Sequence, residues 1–102
     1  MTISARLVMG TGGTSAKAYV QTSLDQGNTW IDIACFAFAT TGAVKVMNAS
    51  GLTPRTTPIT PTDGALADDA VVDGVLGDRL RVKVVTTGTY SNAVVSVRAV
   101  VR

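Results

Sequence analysis

The stretch AKAYVQTSLDQGNTWIDIACFAF, residues 16–38, decides the fold. Residues 16–23 alternate small or apolar side chains with polar and aromatic ones, which is the period of a β-strand. After a tight turn at residues 24–28, residues 29–38 place Trp30, aliphatic residues and two phenylalanines at the same period. Two such runs joined by a short turn predict a β-hairpin.

Further strand-like runs lie on either side of this hairpin. Residues 3–9 and 43–47 are short and largely apolar. Residues 78–85 alternate leucine and valine with arginine and lysine, and residues 93–101 return after a turn at 86–92, which predicts a second hairpin. We expect an all-β fold of about six to eight strands, arranged as a small antiparallel β-sandwich or barrel.

The middle of the chain differs in composition from the strand-like runs. All three prolines lie within residues 53–62 and are interleaved with threonines. Because proline removes backbone donors, we expect an extended Thr/Pro-rich arm or loop there. Residues 65–72 favour at most one turn of helix. The glycine-rich residues 10–15 predict a flexible N-terminal connection, and residues 1–102 are expected to form a single β domain.

The composition excludes several function classes. The chain has no histidine and one cysteine, Cys35, which we expect to be a small buried side chain. The commonest general base is therefore missing, and a cysteine zinc cluster cannot form. Nine lysines and arginines against seven aspartates give a net charge of +2, which predicts no specific nucleic-acid partner. We expect no enzyme, no cofactor, no secretory signal and no membrane partner, since no apolar run approaches about 20 residues.

The turn of the first hairpin contains a recognisable motif. SLDQGNTW, residues 23–30, matches the S-x-D-x-G-x-T-W pattern of the Asp-box. In such a turn the aspartate accepts backbone N–H groups, the glycine takes a positive φ, and the aromatic ring packs under the hairpin. Sialidase-like propellers repeat this motif in each blade, which 102 residues cannot build. We therefore predict a structural hairpin with Trp30 as a core anchor.

Two groups of charged residues are candidate sites. Five aspartates lie within residues 63–78, where we expect turn-forming, solvated side chains, and calcium binding stays open because the spacing fits no EF-hand. The arginines and lysine of residues 78–85 form a cationic face, either simply solvated or able to meet an acidic partner. The residues predicted for a partner interface are Pro54, Arg55, Pro58, Pro61, Arg79, Arg81 and Lys83.

Longer stretches of the chain resemble small virion proteins of tailed bacteriophages and prophages. They are YVQTSLDQGNTWIDI at residues 19–33 and DGVLGDRLRVK at residues 73–83, followed by TGTY at residues 87–90. The resemblance extends over most of the chain from Ala16 onward. It implies a structural protein encoded among head and tail genes, foremost one that decorates the capsid, and it implies no catalytic residue.

The resemblance and the residue pattern together predict a non-enzymatic capsid decoration, or cement, protein. It would bind and stabilise the lattice of the major capsid protein on the virion surface, as a homo-oligomer or beside neighbouring copies, after assembly in the bacterial cytoplasm. Only 16% of the residues are charged, which predicts a surface with little charge and suits this role. Extended arms that add to another chain's sheet suit it as well. The alternatives are a phage tail or head–tail joining protein and a carbohydrate-binding β-sandwich module.

Overall fold

Eight β-strands and no helix are found in the computed structural model, which describes residues 1–100. Their alternating side chains set two faces for each strand, one of which can be buried. The strands are β1 (Thr2–Val8), β2 (Thr11–Gly12), β3 (Ser15–Ser23), β4 (Ile31–Phe38), β5 (Ala43–Asn48), β6 (Arg79–Thr87), β7 (Tyr90–Ser91) and β8 (Val94–Val100).

The strands form two three-stranded antiparallel sheets with a small strand pair beside them. One sheet has the order β5-β1-β8, the other has the order β4-β3-β6, and β2 pairs with β7. The apolar residues of β1, such as Ile3 and Leu7, share a buried cluster with Val20 of β3 and Phe36 of β4. The predicted all-β fold and its sandwich form are confirmed.

The first predicted hairpin is confirmed and the second is wrong. β3 pairs with β4 from Ala16 opposite Phe38 to Thr22 opposite Ile31. β6, however, pairs with β3, whereas β8 pairs with β1 in the other sheet. The turn that was expected to reverse the chain contains β7, which pairs with β2, and the chain crosses there from one sheet to the other. Alternation specifies which face of a strand is apolar but not which strand lies beside it.

Both faces of β3 and β4 are buried, although an alternating strand was expected. The inner face packs on the β5-β1-β8 sheet. Residues 62–72, which we call the covering segment, lie over the outer face and along the edge of β4. As a result Tyr19 is only 5% exposed, Gln21 is fully buried, and Cys35 is buried as predicted. Desolvation by burial raises the pKa of the Cys35 thiol. Coverage on both sides explains why β4 has the nearly continuous apolar sequence of a fully buried strand.

Two smaller expectations concern connecting segments. Residues 65–72 form no helix, because a turn at Asp68 and Asp69 redirects the chain and Val71 then bridges to Ala34 of β4. The predicted flexible connection at residues 10–15 includes β2. Beside β2, a side chain at Gly13 would overlap the Tyr90 ring, so this contact requires glycine.

Candidate interaction surface

Asp32 on β4 fixes the start of the covering segment. Its carboxylate is only 2% exposed. It accepts hydrogen bonds from the backbone N–H groups of residues 64–66 at 2.8 to 3.1 Å. The Thr62 hydroxyl donates to it at 2.9 Å, and Gln21 Nε2 donates at 2.7 Å. A single buried side chain therefore binds a run of consecutive backbone donors, which the residue spacing alone did not reveal.

The ionisation of Asp32 follows from these bonds. Burial by itself raises the pKa of the carboxyl group. Hydrogen bonds from Gln21, Ala65, Gly64 and Thr62 outweigh that effect, so the pKa lies below its ordinary value. The carboxylate is consequently charged at neutral pH, and its charge is neutralised by oriented N–H and O–H dipoles rather than by a cation.

Asp63 binds two of the cations on the outer face of β6. It accepts hydrogen bonds from Arg81 Nη2 at 3.2 Å, Lys83 Nζ at 3.1 Å and Gln21 Nε2 at 2.7 Å. These bonds, first the one from Gln21 and then the one from Lys83, lower the pKa of the Asp63 carboxyl group. The Arg81 guanidinium also lies over the Trp30 ring, 4.2 Å from its centroid. Two of the three cations on this face are thus bound within the chain.

The next two aspartates fasten the middle of the covering segment. Lys17 Nζ lies 2.8 Å from Asp68, and Lys45 Nζ lies 2.8 Å from Asp69. The Ala37 N–H also donates to Asp69 at 3.1 Å, and the Lys45 bond followed by this one lowers the pKa of Asp69. Across residues 1–100, no three acidic or cysteine side chains come together as a metal site.

The Asp-box hairpin has the predicted local structure. Asp25 accepts a hydrogen bond from the Thr29 N–H at 2.7 Å, and the Gly27 N–H donates to the Ser23 hydroxyl at 2.8 Å. Gly27 has a φ of 96°, which glycine adopts without strain. The hydrogen bond from Thr29, followed by that from Ser23, lowers the pKa of Asp25. The motif therefore acts here as a turn that fixes its own backbone.

The prediction that Trp30 anchors the core is wrong. Trp30 is half-buried and lies on the outer side of the sheet. Its position follows from a register shift in the β3–β4 pairing, where Val20 pairs with Ala34 but Gln21 pairs with Asp32. The extra residue turns Asp32, and with it Trp30, to the outer face. The chain's other aromatic residues are buried or half-buried. Within residues 1–100 no aromatic side chain is fully exposed, and the Arg81 guanidinium lies over part of the Trp30 ring.

Residues 51–61 form an exposed loop with fixed ends. All but one of these residues are exposed, and Leu52 is 93% exposed. At one end the Ser50 carbonyl accepts a hydrogen bond from the Gly74 N–H at 2.6 Å. At the other end the Thr62 carbonyl accepts one from β4 at 2.9 Å. We call residues 51–61 the proline loop, since they contain all three prolines of the chain.

The seven residues predicted for a partner interface fall into two groups. The cations Arg79, Arg81 and Lys83 share the outer face of β6, since they alternate along one strand. Only Arg79 among them is exposed. The other group lies in the proline loop and is exposed throughout; it comprises Pro54, Arg55, Pro58 and Pro61. The loop ends two residues before Asp63, which binds two of the β6 cations.

The apolar face of β6 is exposed, contrary to the expectation that it would be the buried one. Val82 pairs with Val20, and Val84 pairs with Ala18. Because paired residues point to the same face, these valines are directed toward the inside of the sandwich. They are nevertheless 42% and 47% exposed, and Leu80 is 45% exposed. The opposite sheet thus fails to cover the inner face of this edge strand.

Comparison with known proteins gives no relative for the chain. No family model, curated protein or solved structure matches it. In residues 1–100 no helix is long and apolar enough to cross a bilayer.

Replacing Asp32 by asparagine should destabilise the fold strongly. Asparagine offers one acceptor oxygen and directs an NH₂ group at backbone donors, which leaves buried N–H groups unpaired. We expect Asp32→Asn to lower the free energy of unfolding by about 2–4 kcal/mol. Asp78→Asn is the matched control, because Asp78 is exposed and should change stability by less than about 0.5 kcal/mol. Urea denaturation measures both, and equal effects would contradict the role of Asp32.

Below pH 8, stability should decline only at acid pH. Hydrogen bonds lower the pKa values of Asp25, Asp63 and Asp69, and at Asp32 they outweigh burial. A lowered folded-state pKa stabilises above the unfolded pKa of about 3.9, and this contribution is lost as pH falls through the folded value. With no histidine in the chain, the unfolding free energy should stay level from about pH 5 to 8 and fall below about pH 4. Urea titrations across this range would refute the account if stability fell between pH 6 and 8.

Proposed function

We propose that the chain is a structural protein of a tailed-bacteriophage particle, of the capsid decoration or cement type. In this role it binds the lattice of the major capsid protein on the virion surface and stabilises it, after assembly in the bacterial cytoplasm. The resemblance of residues 19–33 and 73–83 to small virion proteins supports the class of function. The exposed proline loop on a fixed base is the observation that carries the decoration role.

The proline loop is suited to lie across a neighbouring protein. Its three prolines restrict φ and remove backbone donors, so less conformational freedom is lost when the loop docks. Both ends are already fixed by backbone hydrogen bonds to the sandwich and to residue 74. Leu52 at 93% exposure is available for apolar contact, and complete burial of such a side chain contributes about 1.5–3 kcal/mol.

On a shell of repeated subunits, individually weak contacts are sufficient for stable binding. Each copy of a decoration protein touches identical capsid subunits, and linked contacts add up through multivalency. The exposed cations Arg55 and Arg79 lie in the two groups predicted for the interface and would meet acidic groups of the capsid. Such contacts need geometry and adhesion rather than a reactive group, and the chain contains no histidine.

The proposal is tested by locating the chain in assembled particles. We expect particles purified from cells that carry the gene to contain the chain in fixed ratio to the major capsid protein, with its density on the outer capsid surface in cryo-electron microscopy. Density in the tail or at the head–tail joint would replace this role with the joining alternative. Absence of the chain from purified particles would overturn the proposal.

A matched pair of variants tests the proline loop in the same system. Leu52→Ser should weaken binding to undecorated capsids by about tenfold or more, because it removes an apolar contact. It should leave the thermal stability of the free protein unchanged. Leu24→Ser is the control, since Leu24 is 66% exposed in the Asp-box turn outside the loop. Equal capsid affinities for both variants would exclude the loop as the contact.

A further inference from the structure

β4 and β6 are the two edge strands of one sheet, and only the edge of β4 is covered by other residues of the chain. The edge of β4 is covered by the chain itself, since the Asp32 and Cys35 N–H groups donate to carbonyls of the covering segment and the Val72 N–H donates to Ile33. The outward edge of β6 has no such cover. Apart from β3, no backbone strand within residues 1–100 pairs with it. Because the N–H and C=O groups of successive residues point to alternate sides of a strand, about half of the nine residues of β6 present free backbone donors and acceptors at this edge.

β6 carries only one of the devices that keep edge strands from pairing, the charged side chains of its outer face. It contains no proline and no inward-pointing charge, and its inner face consists of exposed leucine and valine side chains. Two of its outer cations, Arg81 and Lys83, are bound to Asp63. The edge strand of the opposite sheet, β8, differs because its inward Val95 and Val97 pack against the core. β6 is therefore the edge that another strand would complete.

We propose that a second copy of this chain completes the edge, with β6 antiparallel to its counterpart about a two-fold axis at Val84. The axis of such a pair stands perpendicular to the sheet, so opposed residues must lie on the same face. The pairing places Val84 opposite itself, Lys83 opposite Val85, and Arg81 opposite Thr87. It joins two three-stranded sheets into one six-stranded sheet.

Repulsion between the cations of the two copies favours this register over its neighbours. A pair centred on Arg81, Val82 or Lys83 would set one cation directly opposite another, which is destabilising. The pairing centred on Val84 opposes no two cations and still aligns residues 81–87. It also covers Val85, which is 42% exposed on the outer face, with the aliphatic stem of the opposed Lys83.

The side of the molecule that carries β6 and β8 is large enough for a stable contact. The chain measures 43 × 25 × 22 Å. A nine-residue strand spans about 30 Å, so the strands follow the longest dimension. The projected outline of that side, on the order of 900 Å², is the upper limit for the contact, and an interface of standard size covers about 800 Å² per partner. The dimer is independent of the capsid role and is testable without capsids.

Analytical ultracentrifugation of the isolated full chain tests the dimer. We expect a species of twice 10.5 kDa at micromolar concentration. Val84→Lys should weaken the dimer by about 100-fold, because it opposes two cations at the axis. Val46→Lys is the control, since Val46 is 64% exposed on β5 at the far edge of the other sheet. A monomer at 100-fold higher concentration, or a dimer insensitive to Val84→Lys, would overturn the proposal.

A cysteine at the axis tests the register. Cys35 is fully buried, so Val84→Cys introduces the reactive thiol of the variant. Opposed residues of paired strands have Cα atoms about 4.5–5.5 Å apart, within the range of a disulfide. We expect Val84→Cys to form a covalent dimer on mild oxidation, and Val82→Cys, which faces Thr86 of the other copy, to do so much more slowly. The reverse order of rates would contradict the Val84 axis.

Discussion

The hydrogen bonds of one buried carboxylate hold the covering segment to the sandwich. Asp32 lies on β4 and binds the backbone N–H groups of residues 64–66, so a segment without regular secondary structure becomes a layer of the fold. Within residues 1–100 no buried side-chain nitrogen or oxygen lacks a partner. Polar residues can therefore lie between the sheet and this layer without leaving an unpaired buried group.

The covering layer also determines which surfaces are left open. It protects the edge of β4 and the outer face of β3, and it binds two of the three cations of β6 through Asp63. It leaves the outward edge of β6 and the proline loop exposed. The two proposals rest on this division, because free strand edges and preorganised extended segments are features through which sheets bind partners.

The sequence predicts the fold class because strand period and turn chemistry are local. The β3–β4 hairpin and its Asp-box turn are encoded within residues 16–38 and form as expected. The pairing of β6 with β3 is not encoded locally, since the alternation in Arg79–Thr87 fits either neighbour. The role of Asp32 was missed, although a lone charge inside the apolar run of β4 marks a buried carboxylate that must find donors. Alternation counted from Phe36 places Trp30 in the core. The register shift in the β3–β4 pairing reverses this, and the local pattern does not reveal it.

Amide hydrogen exchange at Gly64, Ala65 and Leu66 tests most directly whether the covering segment is a true layer of the fold. Bonds to a buried carboxylate should protect these amides nearly as strongly as those of β3, although no strand or helix contains them. The amides of the proline loop should exchange rapidly in the same experiment. Exchange at residues 64–66 as fast as in that loop, with β3 still protected, would show that the segment opens freely and would contradict the account.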